Sequence, residues 1–198
     1  MPLAGGAVDT QARWSSGLAW LGLALVMIAT RFPGLNGGLH LHDASWAVFF
    51  VAGFYLSGNW RWAFPTLLAV AVGVDYTAIK YYGISNYCLT WAYWFLVPAY
   101  GSLWLGGRWL RRHASVDVAG GIALVATAVI SVSACFLISN GSFYWLGGRV
   151  PHPTLGGWAA NFATWYGPFL RTAAGYIAIA AVFHVVIKTL LPRWALSA

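Results

Sequence analysis

Six stretches of this 198-residue chain carry little or no charge, and most are long enough to lie across a lipid bilayer. They cover residues 15–30, 44–58, 62–79, 87–105, 118–139 and 168–191, the second being short and aromatic. A hydrocarbon core of about 30 Å takes roughly 20 apolar residues per helix, fewer where a helix is partly buried in protein. Only 8% of the residues are charged, where a soluble domain carries roughly 25%. The 13 Trp, 10 Tyr and 11 Phe suit two interfacial aromatic belts. The expectation is an all-α integral membrane protein of six transmembrane helices, forming a single domain over residues 1–198. No A-x-A pattern precedes Arg31, so the first stretch is read as a retained helix rather than a signal peptide.

Orientation follows from lysine and arginine in short loops, which favour the cytoplasmic side. With the N-terminus inside, Arg13, Arg61, Arg108, Arg111, Arg112, Lys188 and Arg193 lie inside, and Arg31, Lys80, Arg149 and Arg171 outside. Both termini are therefore expected in the cytoplasm, the firmest signal being GGRWLRRH at residues 106–113. The net charge of +7 is spread mostly singly along loops, so it serves membrane orientation and points to the bilayer as partner, with no nucleic acid. Residues 140–167 and 32–43 are rich in Gly, Pro and aromatics, and are expected as structured loops or lids on the outer face.

The chain has no glutamate, and its acids are Asp9, Asp43, Asp75 and Asp117. Asp75 stands inside the third apolar stretch, in LLAVAVGVDYTAIKYYG. An ionisable group there costs a few kcal/mol to insert, so it faces a cavity or a partner. If isolated, it is expected to hold its proton more tightly than a surface aspartate and to act as a base near neutral pH. Cys88, in NYCLTWAYW, falls about one turn into the fourth stretch from the outer face. Tyr93 lies deeper, while Lys80, Tyr81, Tyr82 and Tyr87 occupy the connection between the third and fourth helices. On an ideal helix Cys88 shares a face with Trp91 and Phe95 rather than with Tyr93, so an irregularity near Pro98 or a large ligand has to bring the pair together.

Each of these residues also has a plain structural reading. Cys88 and Cys135 can be small packing residues, Cys135 especially, in ISVSACFLIS. A bridge between the two is an alternative. Asp75 can be a buried hydrogen-bond partner, and Tyr93 an interfacial or packed side chain. HLHD places His40, His42 and Asp43 where they could hold a divalent metal. His113 and His152 read as loop residues, and His184 as hydrogen-bonded within the bundle. No GxSxG, HExxH, P-loop or CxxC occurs in a usable context, so no ATP site is expected in this chain.

Two stretches carry a resemblance. LHDASWAVFFVAGFYLSGNWRWAFP and VAVGVDYTAIKYYGISNYCLTWAYWFLVPAYGS resemble the BtuM family of bacterial vitamin B12 transporters, small six-helix proteins of the cytoplasmic membrane. These are similar to the substrate-binding S-components of energy-coupling-factor transporters. The match covers the second to fourth helices, and the rest in general layout. Its specific part is one cysteine at the head of the fourth helix, with an aspartate before it and a tyrosine after it. The resemblance implies that Cys88 ligates the cobalt of cobalamin, that Asp75 and Tyr93 accompany the thiol, and that the bound vitamin can lose its upper cyanide ligand. A thiolate is a softer donor than water or imidazole, and binding to a metal deprotonates the thiol. Tyr87 and Trp91 could wall a flat corrin ring.

One feature departs from that pattern. S-components that dock on an energising module usually carry AxxxA in the first helix, whereas GLAWLGLALVMIAT offers Gly17, Ala19, Gly22 and Ala24 without it, which leaves docking on ATPase partners open. The reading is uptake of cobalamin across the bacterial cytoplasmic membrane, with Cys88, Asp75 and Tyr93 as reactive residues. Two others stand beside it: a transporter for another ligand, such as a metal ion on His40, His42 and Asp43, and a membrane enzyme that modifies cobalamin or a quinone without transport.

Overall fold

The computed structural model describes residues 5–36, 41–86 and 89–190. Among them six long helices follow one another: α1 (Gly5–Arg31), α2 (Ser45–Tyr55), α3 (Trp60–Tyr82), α4 (Leu96–His113), α5 (Val118–Leu146) and α6 (Leu155–Leu190). The described residues contain no strand. Three elements are long and apolar enough to cross a membrane, namely Ser57–Tyr82, Val118–Leu146 and Leu155–Leu190. Ser15–Arg31 and Ser45–Tyr55 are shorter apolar helices. The outward side chains of α6 include Ile179, Val182, Phe183 and Val186, all exposed. An apolar exterior of this extent is that of a membrane-embedded protein.

The 11 residues of α2 rise about 16 Å, roughly half the hydrocarbon thickness. Its sequence, SWAVFFVAGFY, is apolar all round, which is the pattern of a helix enclosed by others. Accordingly Trp46, Ala47, Val48, Phe49, Phe50, Ala52 and Gly53 are all buried. It packs chiefly on α4, and α4 on α5, with α1, α3 and α6 closing the remaining sides.

Lipid chains are as apolar as the side chains, so close backbone approach rather than water exclusion joins such helices. Gly53 and Gly107 supply it between α2 and α4. A Cβ on Gly53 would run into the Trp104 carbonyl, and one on Gly107 into the Phe50 carbonyl. Gly53→Ala and Gly107→Ala are therefore expected to cost about 1–3 kcal/mol each. Gly73→Ala and Gly101→Ala, where a Cβ meets nothing within 4 Å, are the controls. Thermal unfolding of the detergent-purified protein checks the contrast, and equal effects at all four positions would refute it.

Several boundaries differ from the sequence expectation. The fourth helix does not begin at residue 87: Trp91–Phe95 form a 3-10 turn, and the α-helix starts at Leu96. Pro98 thereby falls in the first turn, where no backbone donor is lost. Lys80, Tyr81 and Tyr82 are the last turn of α3 rather than loop. That helix stops because Gly83 takes φ 65°, donating its N–H to the Ala78 carbonyl. The broad outer loop expected over residues 140–167 is mostly helix, since α5 runs to Leu146 and α6 starts at Leu155, with Pro168 inside it. Asp117 sets the start of α5, accepting from the Ser115 hydroxyl at 2.5 Å and the Gly120 N–H at 2.7 Å. Those bonds, Ser115's first, hold its carboxyl below the usual carboxylate range.

Candidate functional site

The ends of α1 and α3 and the beginnings of α2 and α4 meet at one end of the bundle, and Arg31 is the hub of that meeting. Its Nε donates to Asp75 Oδ1 at 2.7 Å and its Nη2 to Asp75 Oδ2 at 2.7 Å, the bidentate fork that guanidinium and carboxylate planes allow. Its Nη1 donates to Asp43 Oδ2 at 2.5 Å, Ser45 Oγ at 3.2 Å and the Tyr100 hydroxyl at 3.5 Å. Tyr93 donates its phenol to Asp75 Oδ2 at 2.7 Å. The Arg31 and Asp75 side chains are 15% and 21% exposed, so the pair is largely screened from solvent.

Local structure places each partner. Thr30 accepts the Ala44 N–H at 3.1 Å and donates to the Val26 carbonyl, which ties the start of α2 to the last turn of α1. Asp43 Oδ1 takes the Ser45 N–H at 2.9 Å and the Ser45 hydroxyl at 2.5 Å. Tyr100 is held in the core by stacking on Phe49, ring centres 4.4 Å apart. The turn that carries Tyr93 is closed by its N–H on the Thr90 carbonyl at 3.0 Å. With one guanidinium for two carboxylates, the cluster carries a formal charge of −1.

Asp75 is thus not the isolated acid expected from its apolar setting. Both its oxygens are engaged, so the premise of a free general base fails, and orientation by charge and hydrogen bonds replaces it. Asp75 and Tyr93 meet directly, and the 3-10 turn rather than one continuous α-helix sets the position of Tyr93. Trp91 stands apart from the cluster with 83% of its surface exposed, and Trp94 is 71% exposed. Cys88 and Tyr87 lie outside the described residues, between Asn86 and Leu89, which are joined by the Leu89 N–H on the Asn86 carbonyl at 2.9 Å.

Sequence reading missed Arg31 as a site residue, taking it only as an orientation charge, and missed Ser45 and Tyr100. The available signal was that a carboxylate within an apolar helix requires a cation, and Arg31 ends the neighbouring apolar stretch. For the metal reading, His40 lies outside the described residues, and both Asp43 oxygens are already taken by Arg31 and Ser45. Among the described residues no group of three or more His, Cys, Asp or Glu could hold a metal ion. Cys135 is a free thiol at 0% exposure in the core, packed as expected; Cys88, its partner in the bridge alternative, lies outside the described residues. His184 meets the Tyr55 hydroxyl through Nδ1 at 2.6 Å, within the bundle as expected.

No protein-family model matches the chain, and no curated protein sequence matches it.

Proposed function

We propose that the protein captures cobalamin at the outer face of a bacterial cytoplasmic membrane and moves it inward, with the Cys88 sulfur as an axial ligand of cobalt. The observation that carries the reading is the Arg31, Asp75 and Tyr93 cluster: the acid of α3 is joined at 2.7 Å to a phenol that stands on the turn five residues past Cys88 in the chain. The cluster's formal charge of −1 favours a cationic centre such as cobalt(III) in a corrin. Tyr81, Tyr82, Trp91 and Trp94, all exposed at this end of α3 and around the turn, offer flat apolar surface to a ring of that size.

In this reading all six helices span, in the S-component-like layout, with both termini in the cytoplasm and the Arg31 cluster outside. The 36 residues of α6, about 54 Å long, exceed the membrane core and project beyond it. Bound cobalamin would take the Cys88 sulfur as a cobalt ligand in place of the vitamin's own benzimidazole nitrogen, which would leave with its lone pair. The thiol proton would depart with the cyanide as hydrogen cyanide, water would take the vacated place, and the oxidation state of the metal would not change. Docking on an energising module through α1 stays a separate proposition, since that helix has small residues without the AxxxA spacing.

Growth of a bacterial strain that needs external vitamin B12 and lacks its own inner-membrane importer tests the function. Expression of this chain is expected to restore growth at low cyanocobalamin, and Cys88→Ser to remove the benefit. Absence of rescue by a protein shown to be in the membrane would defeat the transport reading. Corrin colour on the purified protein without rescue would instead favour a membrane enzyme that modifies the vitamin.

A further inference from the structure

At the end of the bundle opposite the Arg31 cluster, α6 stands off from its neighbours. Ile177 is its last buried residue; none from 178 to 190 is buried. The space left between α6, α2 and the start of α5 is a cavity of about 390 Å³, within the ~300–1,000 Å³ range of ligand sites. Phe50, Phe54, Leu124, Ile177 and Val185 make its apolar wall, and Tyr55, His184 and Lys188 stand along it. Gly121 also lines it, and a Cβ there would meet nothing within 4 Å.

The charges around this space are unequal. Arg111 reaches the Tyr55 carbonyl at 3.2 Å and Ser57 Oγ at 3.2 Å, which sets a guanidinium beside the Tyr55 wall. Among the described residues Lys188 has no acid partner, both ion pairs there belonging to Arg31. Asp117, the one acid on the lining, is turned to the first N–H groups of α5. An apolar slot with cations at its polar side, in a membrane-embedded helix bundle, matches a molecule with a hydrocarbon body and an anionic head.

We propose that this cavity holds an acyl chain of an anionic phospholipid, whose headgroup phosphate is met by Lys188 and Arg111. The lipid fills the gap that α6 leaves and braces its second half against α2 and α5. This assignment is independent of the ligand at the Arg31 end.

Native mass spectrometry of the detergent-purified full chain, titrated with phosphatidylglycerol or phosphatidylcholine of the same chains, tests it. Saturable retention of one phosphatidylglycerol is expected, with phosphatidylcholine held more weakly. Lys188→Gln should weaken phosphatidylglycerol roughly fivefold, one cation's share near a membrane surface, and leave phosphatidylcholine unchanged. Gly121→Phe, which fills the slot, should abolish saturable retention of both, with lipid-free thermal unfolding confirming that the variant is folded. Retention by Gly121→Phe at the parent level would overturn the cavity as the site. Equal retention of the two lipids, with no effect of Lys188→Gln, would overturn the anionic class. If Gly121→Phe fails to fold, the Lys188→Gln comparison decides alone.

Discussion

Arg31→Met is expected to lower the midpoint of thermal unfolding in detergent by on the order of 10 °C. The substitution leaves Asp75 and Asp43 facing one space with no cation between them. Removing one partner of a buried ion pair costs roughly 3–5 kcal/mol, because the other charge stays desolvated and unpaired. Asp75→Asn should cost less than Arg31→Met, since Arg31 keeps Asp43, Ser45 and Tyr100 as acceptors. The double variant Arg31→Met with Asp75→Leu should recover much of the loss, because contacting residues are non-additive and an apolar pair replaces a broken ionic one. Additive single effects below about 0.5 kcal/mol would mean that the cluster is wetter and looser than its geometry indicates.

The second large effect concerns the thiols. Cys88→Ser is expected to abolish cobalt ligation, because an alcohol is a poor donor beside a thiolate. The absorption spectrum of bound corrin should then revert toward that of the free vitamin, and loss of the upper cyanide should stop. Cys135→Ser should leave both intact, since Cys135 lies in the core among Val132, Phe136 and Met27. An unchanged corrin spectrum in the Cys88 variant would return that residue to a packing role. A changed spectrum in the Cys135 variant alone would move the ligand to the wrong cysteine for this account.

Some of this architecture was legible in the residues. Apolar stretches of membrane-spanning length are set by the thickness of the bilayer, and the three elements long enough to cross it, Ser57–Tyr82, Val118–Leu146 and Leu155–Leu190, each contain all or nearly all of one. The ends were harder. WAYWF at residues 91–95 reads as a continuous apolar helix, yet Pro98 fixes where the α-helix can begin and leaves the aromatic run to a 3-10 turn. Gly156, Gly157 and Gly167 were read as loop residues, and Pro168 as the first residue of the last helix. All lie within α6, since glycine and proline are tolerated in membrane helices far better than in water.

The site was legible in its types rather than in its pairings. Asp75 stood out as costly in an apolar stretch, and that cost is what its partners offset. Its cation lies 44 residues earlier in the chain, and no periodicity links the end of one helix to the second half of another. Tyr93 was placed on the wrong kind of helix, a 3-10 turn standing where an α-helix was expected, although its bond to Asp75 joins two residues singled out separately. Arg31 was hidden because charges next to apolar stretches are ordinarily orientation signals.

The most direct test is X-ray absorption at the cobalt edge on the purified protein loaded with cobalamin. The account predicts a sulfur scatterer in the first shell of cobalt in the parent protein and its loss in Cys88→Ser. A first shell of nitrogen and oxygen alone, identical in parent and variant, would contradict it.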